Sequence, residues 1–208
     1  MREDSDRSTD RSGAVSLWLF FTVLYLLMTG GHVYSPDALV MARTTESMVE
    51  RGELAVPDPG YPEGFLTTGR DGRSYAKYGL GMPLVGAPFF AAGKGLGLLA
   101  TPETTEKLFS GPRFLWYDPR VPEESWPLFG LSLTAAPLAA GVVALIFLLA
   151  VEIGYGRRAG LVLAAVVGLA TPLLVYAKTF FSEPLSALGL VLAALAGVRW
   201  LRRRESGA

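Results

Sequence analysis

The feature that most constrains this chain is that its apolar residues arrive in long blocks. Residues 14–30 read AVSLWLFFTVLYLLMTG, and further blocks occupy 127–153, 159–175 and 185–201. A bilayer core of about 30 Å is crossed by about 20 mostly apolar residues in a helix. Inside lipid every backbone donor and acceptor must be bonded internally, which leaves helices or closed barrels. Unbroken runs without strict alternation select helices. The expected fold is therefore an all-α, multi-pass transmembrane helical bundle. Half of the residues are hydrophobic and 18% are charged, below the roughly 25% usual in soluble domains.

The first block reads as a retained span rather than a cleaved leader. Residues 1–13 are polar and mixed in charge, the apolar run is longer than a usual signal core, and His32-Val33-Tyr34 follows instead of a small-residue cleavage site. The formal net charge is zero, so no basic nucleic-acid footprint is expected. There is no cysteine, which removes disulfides, thiolate metal sites and cysteine nucleophiles.

Orientation follows from positive charge beside the spans. Arg2, Arg7 and Arg11 precede 14–30, Arg157 and Arg158 lie between 127–153 and 159–175, and Arg202, Arg203 and Arg204 follow 185–201. With four spans all three clusters fall on one side. This gives a plasma (inner) membrane protein with cytoplasmic tails 1–13 and 202–208 and an extracytoplasmic loop 31–126. The apolar stretch 80–100 contains five glycines, two prolines and Lys94. A crossing there would move Arg157 and Arg158 to the other side, so it is read as a re-entrant or interfacial segment. Glu152 is expected to pair with Arg157 or Arg158.

The long loop carries local signals of its own. Ser35-Pro36-Asp37 is a helix start, and a juxtamembrane helix is expected over 36–51, ended by Gly52. Leu39, Met41, Ala42, Thr45, Met48 and Val49 lie on one face, opposite Arg43, Glu46, Glu50 and Arg51. Such a helix lies in a membrane surface or against the bundle. Pro57, Pro59 and Pro62 mark an irregular stretch. Asp71-Gly72 between β-prone runs signals a hairpin over 65–78. The proline- and charge-rich segment 101–124 reads as a surface loop.

Three polar residues stand out on the outer side. Asp37, just after the first span, can serve as a general base or simply stabilise a helix N-terminus. Lys77, in YAKYGLGMP, can hold a phosphate as a point charge or snorkel with its stem on apolar surface. Glu183 in KTFFSEP lies between two spans, where acidic groups are functional candidates; it also fits a helix first turn capped by Ser182. Lys178 can neutralise Glu183 or bind an anion. His32, the one histidine, reads as structural. Zinc, Walker, GxGxxG and GxSxG motifs are absent.

Three segments, TGGHVYSPDALVMARTTESMVERGELAVP, GRDGRSYAKYGLGMPLVGAPFFAAGKGLG and TPLLVYAKTFFSEPLSALGLVLAAL, carry a resemblance. In their order the chain resembles the N-terminal part of bacterial GT-C membrane glycosyltransferases, most closely the protein O-mannosyltransferase-like group that includes lipid A aminoarabinose transferases. Asp37 matches that family's acidic residue after the first span. Lys77 matches its loop lysine, although the proline that follows comes later here, at Pro83. Glu183 matches its acidic residue in the outer loop between the third and fourth spans. The resemblance implies a GT-C-like N-terminal module that transfers a sugar from a polyprenyl-phosphate-linked donor to a lipid, protein or glycan acceptor. It implies Asp37 as catalytic base, Lys77 with Lys178 for the donor phosphate, and Glu183 for a divalent metal (Mg or Mn) or the acceptor. Such enzymes usually have more spans and a soluble C-terminal part, so a portion of a longer enzyme is expected. Two alternatives stand beside it: a non-catalytic scaffold subunit and a small transporter or flippase. The latter would want charged groups or broken helices near mid-membrane, often in repeated halves.

Overall fold

A computed structural model describes residues 2–33, 35–57, 63–109 and 122–206. They are mostly helical and divide into two compact units. Four helical segments are long and apolar enough to cross a membrane: Ser8–Met28, Gly81–Leu99, Ser125–Glu152 and Glu183–Glu205.

The first unit comprises Met1–Met28, Ala135–Lys178 and Glu183–Ala208. Its helices are α1 (Arg2–Met28), α6 (Ala135–Glu152), α7 (Arg157–Leu169), α8 (Leu173–Tyr176) and α9 (Glu183–Ser206). Helix α6 is central and packs against α1, α7 and α9. It is rich in alanine, and Ala136, Ala139, Ala140 and Val143 are fully buried. Small side chains let helix backbones approach closely.

Specific contacts set the helix directions. The Trp18 indole donates to the Pro137 carbonyl (3.0 Å), and Gly13 faces the ring of Phe147, so α1 and α6 are antiparallel. Gly141 faces Leu188 and Arg199 pairs with Glu152 at 3.2 Å, so α9 runs parallel to α6. Arg157 pairs with Asp10 at 2.6 Å, and the buried Tyr25 hydroxyl donates to the Gly168 carbonyl at 2.9 Å. Helix α7 therefore runs with α1. The unit is an up-and-down bundle, with Arg157, Arg199 and the arginines after it at one end.

Two expectations are corrected here. Glu152 takes Arg199 as its partner, and Arg157 takes Asp10; neighbours across the bundle end outcompete neighbours in sequence. The helix expected over 159–175 stops at Leu169 and resumes only as the single turn α8. Thr171 and Pro172 explain the break. Proline lacks an N–H and disfavours helical geometry in the residue before it, and the Thr171 hydroxyl bonds back to the Val167 carbonyl at 2.6 Å.

The second unit comprises Thr29–Thr134 and Thr179–Ser182. It holds α2 (Pro36–Glu46) with a π turn at Ser47–Arg51, strands β1 (Leu66–Thr68) and β2 (Ser74–Ala76), α3 (Gly81–Leu99), α4 (Pro102–Phe109) and α5 (Pro122–Ser132). The strands are antiparallel, with Thr67 opposite Tyr75. Val56 extends the pairing through its N–H to Ser74 (2.8 Å). In the connecting turn Gly72 has φ 77°, a left-handed conformation suited to glycine. Asp71 accepts from the Arg73 N–H and from the Tyr75 hydroxyl. The Tyr75 hydrogen bond is the first cause holding the Asp71 carboxyl below its ordinary range, and the Arg73 N–H is the second.

Helix α2 is buried more completely than an amphipathic pattern implies. Val40 and Thr44 are buried together with Leu39, Met41, Ala42 and Thr45. The two threonine hydroxyls are satisfied by the carbonyls of Val40 and Met41 one turn back. Thr45 also reaches the Pro83 carbonyl at the start of α3.

The stretch expected as a re-entrant or interfacial segment forms one unbroken helix over Gly81–Leu99 rather than irregular backbone. Pro83 falls in its first turn, where a missing N–H costs nothing. The glycines serve as contact points. At the crossing of α3 and α5, a Cβ on Gly93 would overlap the Trp126 carbonyl, and one on Gly130 the Phe89 carbonyl. Trp126 stacks edge-on against Phe109 (5.1 Å) and donates to the Thr105 hydroxyl at 3.0 Å. Phe180 is fully buried against Gly86 and Leu131.

The apolar block 127–153 is divided between α5 and α6 by a turn at Leu133-Thr134. Within the loop expected over 101–124, Pro102–Phe109 is helical, and 110–121 lie outside the described residues, as do Pro59 and Pro62.

Candidate functional site

The site is built on the start of α2. The Ser35 hydroxyl caps the helix by accepting the Ala38 N–H at 3.1 Å, and Pro36 occupies the first helical position. Asp37 then falls in the first turn, where the helix dipole favours a carboxylate. The helix-start position leaves the carboxylate able to accept a further hydrogen bond.

The hairpin and the short connection after it deliver the second half of the site. Strand β2 ends at Ala76 and α3 begins at Gly81, so Lys77 and Tyr78 stand on the few residues between them. The Tyr78 hydroxyl donates a hydrogen bond to Asp37 Oδ1, joining positions 41 apart in sequence. Burial of the phenol, followed by the hydrogen bond to Asp37 and its charge, raises the Tyr78 pKa well above the ordinary value. The phenol therefore stays protonated and acts as a fixed donor. Among the described residues, Asp37 Oδ2 has no side-chain partner.

Lys77 stands on the same tyrosine. Its ammonium lies 5.2 Å from the Tyr78 ring centroid and 4.9 Å from that of Phe65. Both are within cation–π range. The residue is exposed and makes no ion pair among the described residues, so its N–H donors remain available to an anion. The arrangement offers a carboxylate with an open oxygen, a neutral phenol that orients it, and an ammonium held over two aromatic faces.

Asp37 and Lys77 are thus brought together, through Tyr78, within the second unit. Lys178 and Glu183 belong to the first unit, at the bundle end away from the arginines. Lys178 is half-buried, and Glu183 is exposed as the first residue of α9. These two do not pair with each other, so Lys178 does not neutralise Glu183. No three His, Asp or Glu side chains converge as a metal-ligand set among the described residues. His32 Nδ1 lies 2.8 Å from the Gly30 carbonyl.

Tyr78 and Phe65 are the site residues that sequence reasoning missed. The available signal for Tyr78 was its place directly after Lys77 in SYAKYG; Phe65, twelve positions before Lys77, carried none. No protein-family model, curated protein or solved structure matches this chain.

Proposed function

We propose that this chain is a membrane glycosyltransferase module, working on a polyprenyl-phosphate-linked sugar at the extracytoplasmic face. The observation that carries the reading is the Asp37–Tyr78 hydrogen bond with Lys77 seated on the same ring. The reaction needs a proton acceptor, an anion holder and a membrane surface. An acceptor hydroxyl or amine attacks the anomeric carbon, and its proton passes to Asp37. A bond forms from the acceptor to that carbon while the bond from carbon to phosphate oxygen breaks. Polyprenyl phosphate leaves with the electron pair, and Lys77 stabilises the charge on it. Tyr78 holds Asp37 in place.

The topology proposed with it is four passes, α1, α6, α7 with α8, and α9, with the N-terminus cytoplasmic in the plasma membrane. The ion pairs Asp10–Arg157 and Glu152–Arg199 support it, since they gather the basic clusters at one bundle end, as the positive-inside rule favours. The loop 31–126 is then extracytoplasmic. Within it α3 is proposed as interfacial, despite its span-like length. Lys94, deep in its apolar sequence, pairs with Glu50 at 2.7 Å, and α3 packs beside charged α2. Its exposed Leu84, Leu96, Leu98 and Leu99 supply a face for lipid.

The test is sugar transfer in membranes containing the chain, alone and within any longer reading frame that includes it, supplied with polyprenyl-phosphate sugars. Label leaving the donor supports the reading. A donor pool that stays intact in every case overturns it.

A further inference from the structure

The last turns of α9 carry a second site, independent of the sugar chemistry. A groove of about 330 Å³ is lined by Leu192, Leu195, Ala196, Arg199, Trp200 and Arg203. Its character changes along the helix, from aliphatic at Leu192, Leu195 and Ala196 to cationic at Arg199 and Arg203, with the Trp200 indole between. Trp200 is about half exposed. The Arg204 guanidinium stacks on it at 4.0 Å from the ring centroid. Stacking occupies the face of a guanidinium and leaves its edge N–H donors for a phosphate. Arg202, exposed beside the groove, has no partner among the described residues. Among the described residues of α6 and α9 at this end, the acidic groups are Glu152, engaged by Arg199, and the exposed Glu205, fewer than the arginines of α9.

This polarity matches one kind of occupant. We propose that the C-terminal end of α9 binds an acidic glycerophospholipid, with its headgroup phosphate on the arginines and one acyl chain along Leu192, Leu195 and Ala196. Helix α9 has 24 residues, about 36 Å at 1.5 Å per residue. That length places Trp200 near the boundary of a membrane that α9 crosses, where tryptophan is enriched. Arginines at that depth attract anionic headgroups. A zwitterionic lipid offers the same phosphate, but its choline group repels the surrounding guanidinium groups.

Native mass spectrometry of the full chain in detergent, with equimolar phosphatidylglycerol and phosphatidylcholine, reads the selectivity directly. Retention of phosphatidylglycerol is expected to exceed that of phosphatidylcholine roughly fivefold. An Arg203→Gln, Arg204→Gln double variant should bring the ratio to about one. Ala196→Phe fills the aliphatic part of the groove while keeping every charge, and should lower the ratio as well. Equal retention by the unaltered chain overturns the proposal. A ratio insensitive to Ala196→Phe also does so, since it would mean a diffuse charge effect without a groove. Displacement of the lipid by millimolar inorganic phosphate overturns it in favour of a free-anion site.

Discussion

The hydroxyl of Tyr78 hydrogen-bonds the carboxylate of Asp37, tying the first turn of α2 to the connection that leaves the hairpin. Burial, then the carboxylate itself, raises the pKa of the phenol. An unfolded tyrosine ionises near pH 10, whereas the folded one holds its proton to higher pH. Above about pH 10 the unfolded state therefore releases a proton that the folded state keeps, and stability falls as pH rises. Below that pH the contribution is fully present. Thermal unfolding in detergent should show this alkaline loss in the unaltered chain and a smaller one in Tyr78→Phe. Identical slopes would mean that the hydrogen bond does not persist in solution.

Lys77 is held by Phe65 and Tyr78 and by no carboxylate among the described residues. Replacing it with glutamine should leave the fold intact, because the residue is exposed. The expected effect is weaker binding of a polyprenyl-phosphate sugar, by about 1.5–3 kcal/mol for a lost charge-assisted hydrogen bond. A donor titration on reconstituted protein measures it. Unchanged affinity would leave Lys77 as a snorkelling side chain.

The crossing of α3 and α5 depends on the absence of side chains. Gly93→Ala would drive a methyl into the Trp126 carbonyl, which is backbone and yields little. A loss of about 1–3 kcal/mol is expected from such overpacking. Gly95, with open space around it, is the control: Gly95→Ala should be neutral or stabilising by up to about 1 kcal/mol through helix propensity. Chemical or thermal unfolding of the two variants separates packing from propensity.

Because the chain has no cysteine, single cysteines report topology without background. Arg70→Cys, in the exposed hairpin turn, should react with an impermeant maleimide added to intact cells. Arg202→Cys should react only after the cells are opened. The opposite pattern, or both labelling alike from outside, contradicts the proposed four passes.

Much of the local structure was legible because its signals are short-range. Ser35-Pro36-Asp37 and Gly52 bound the helical stretch of α2 and its π turn, and Asp71-Gly72 lies in the turn between β1 and β2. Extents depending on tertiary contacts were not legible. The glycines of α3 suggest irregular backbone until α5 is seen lying against them. By contrast, Thr171-Pro172 marks the end of the third apolar run in the sequence itself, and α7 stops just before it at Leu169. In the candidate site, Asp37 and Lys77 announced themselves by charge. Tyr78 did not, because its role arises only when the hairpin returns it to a carboxylate 41 positions earlier.

The most direct measurement is release of polyprenyl phosphate from a polyprenyl-phosphate sugar, comparing membranes carrying the unaltered protein with membranes carrying Asp37→Asn. Asparagine keeps the shape and can still accept from Tyr78, but it cannot take up the acceptor proton. Release should fall by roughly 10²–10⁴-fold, the usual contribution of a general base, with protein levels unchanged. Equal release by the two proteins would contradict the assignment of Asp37 as the base.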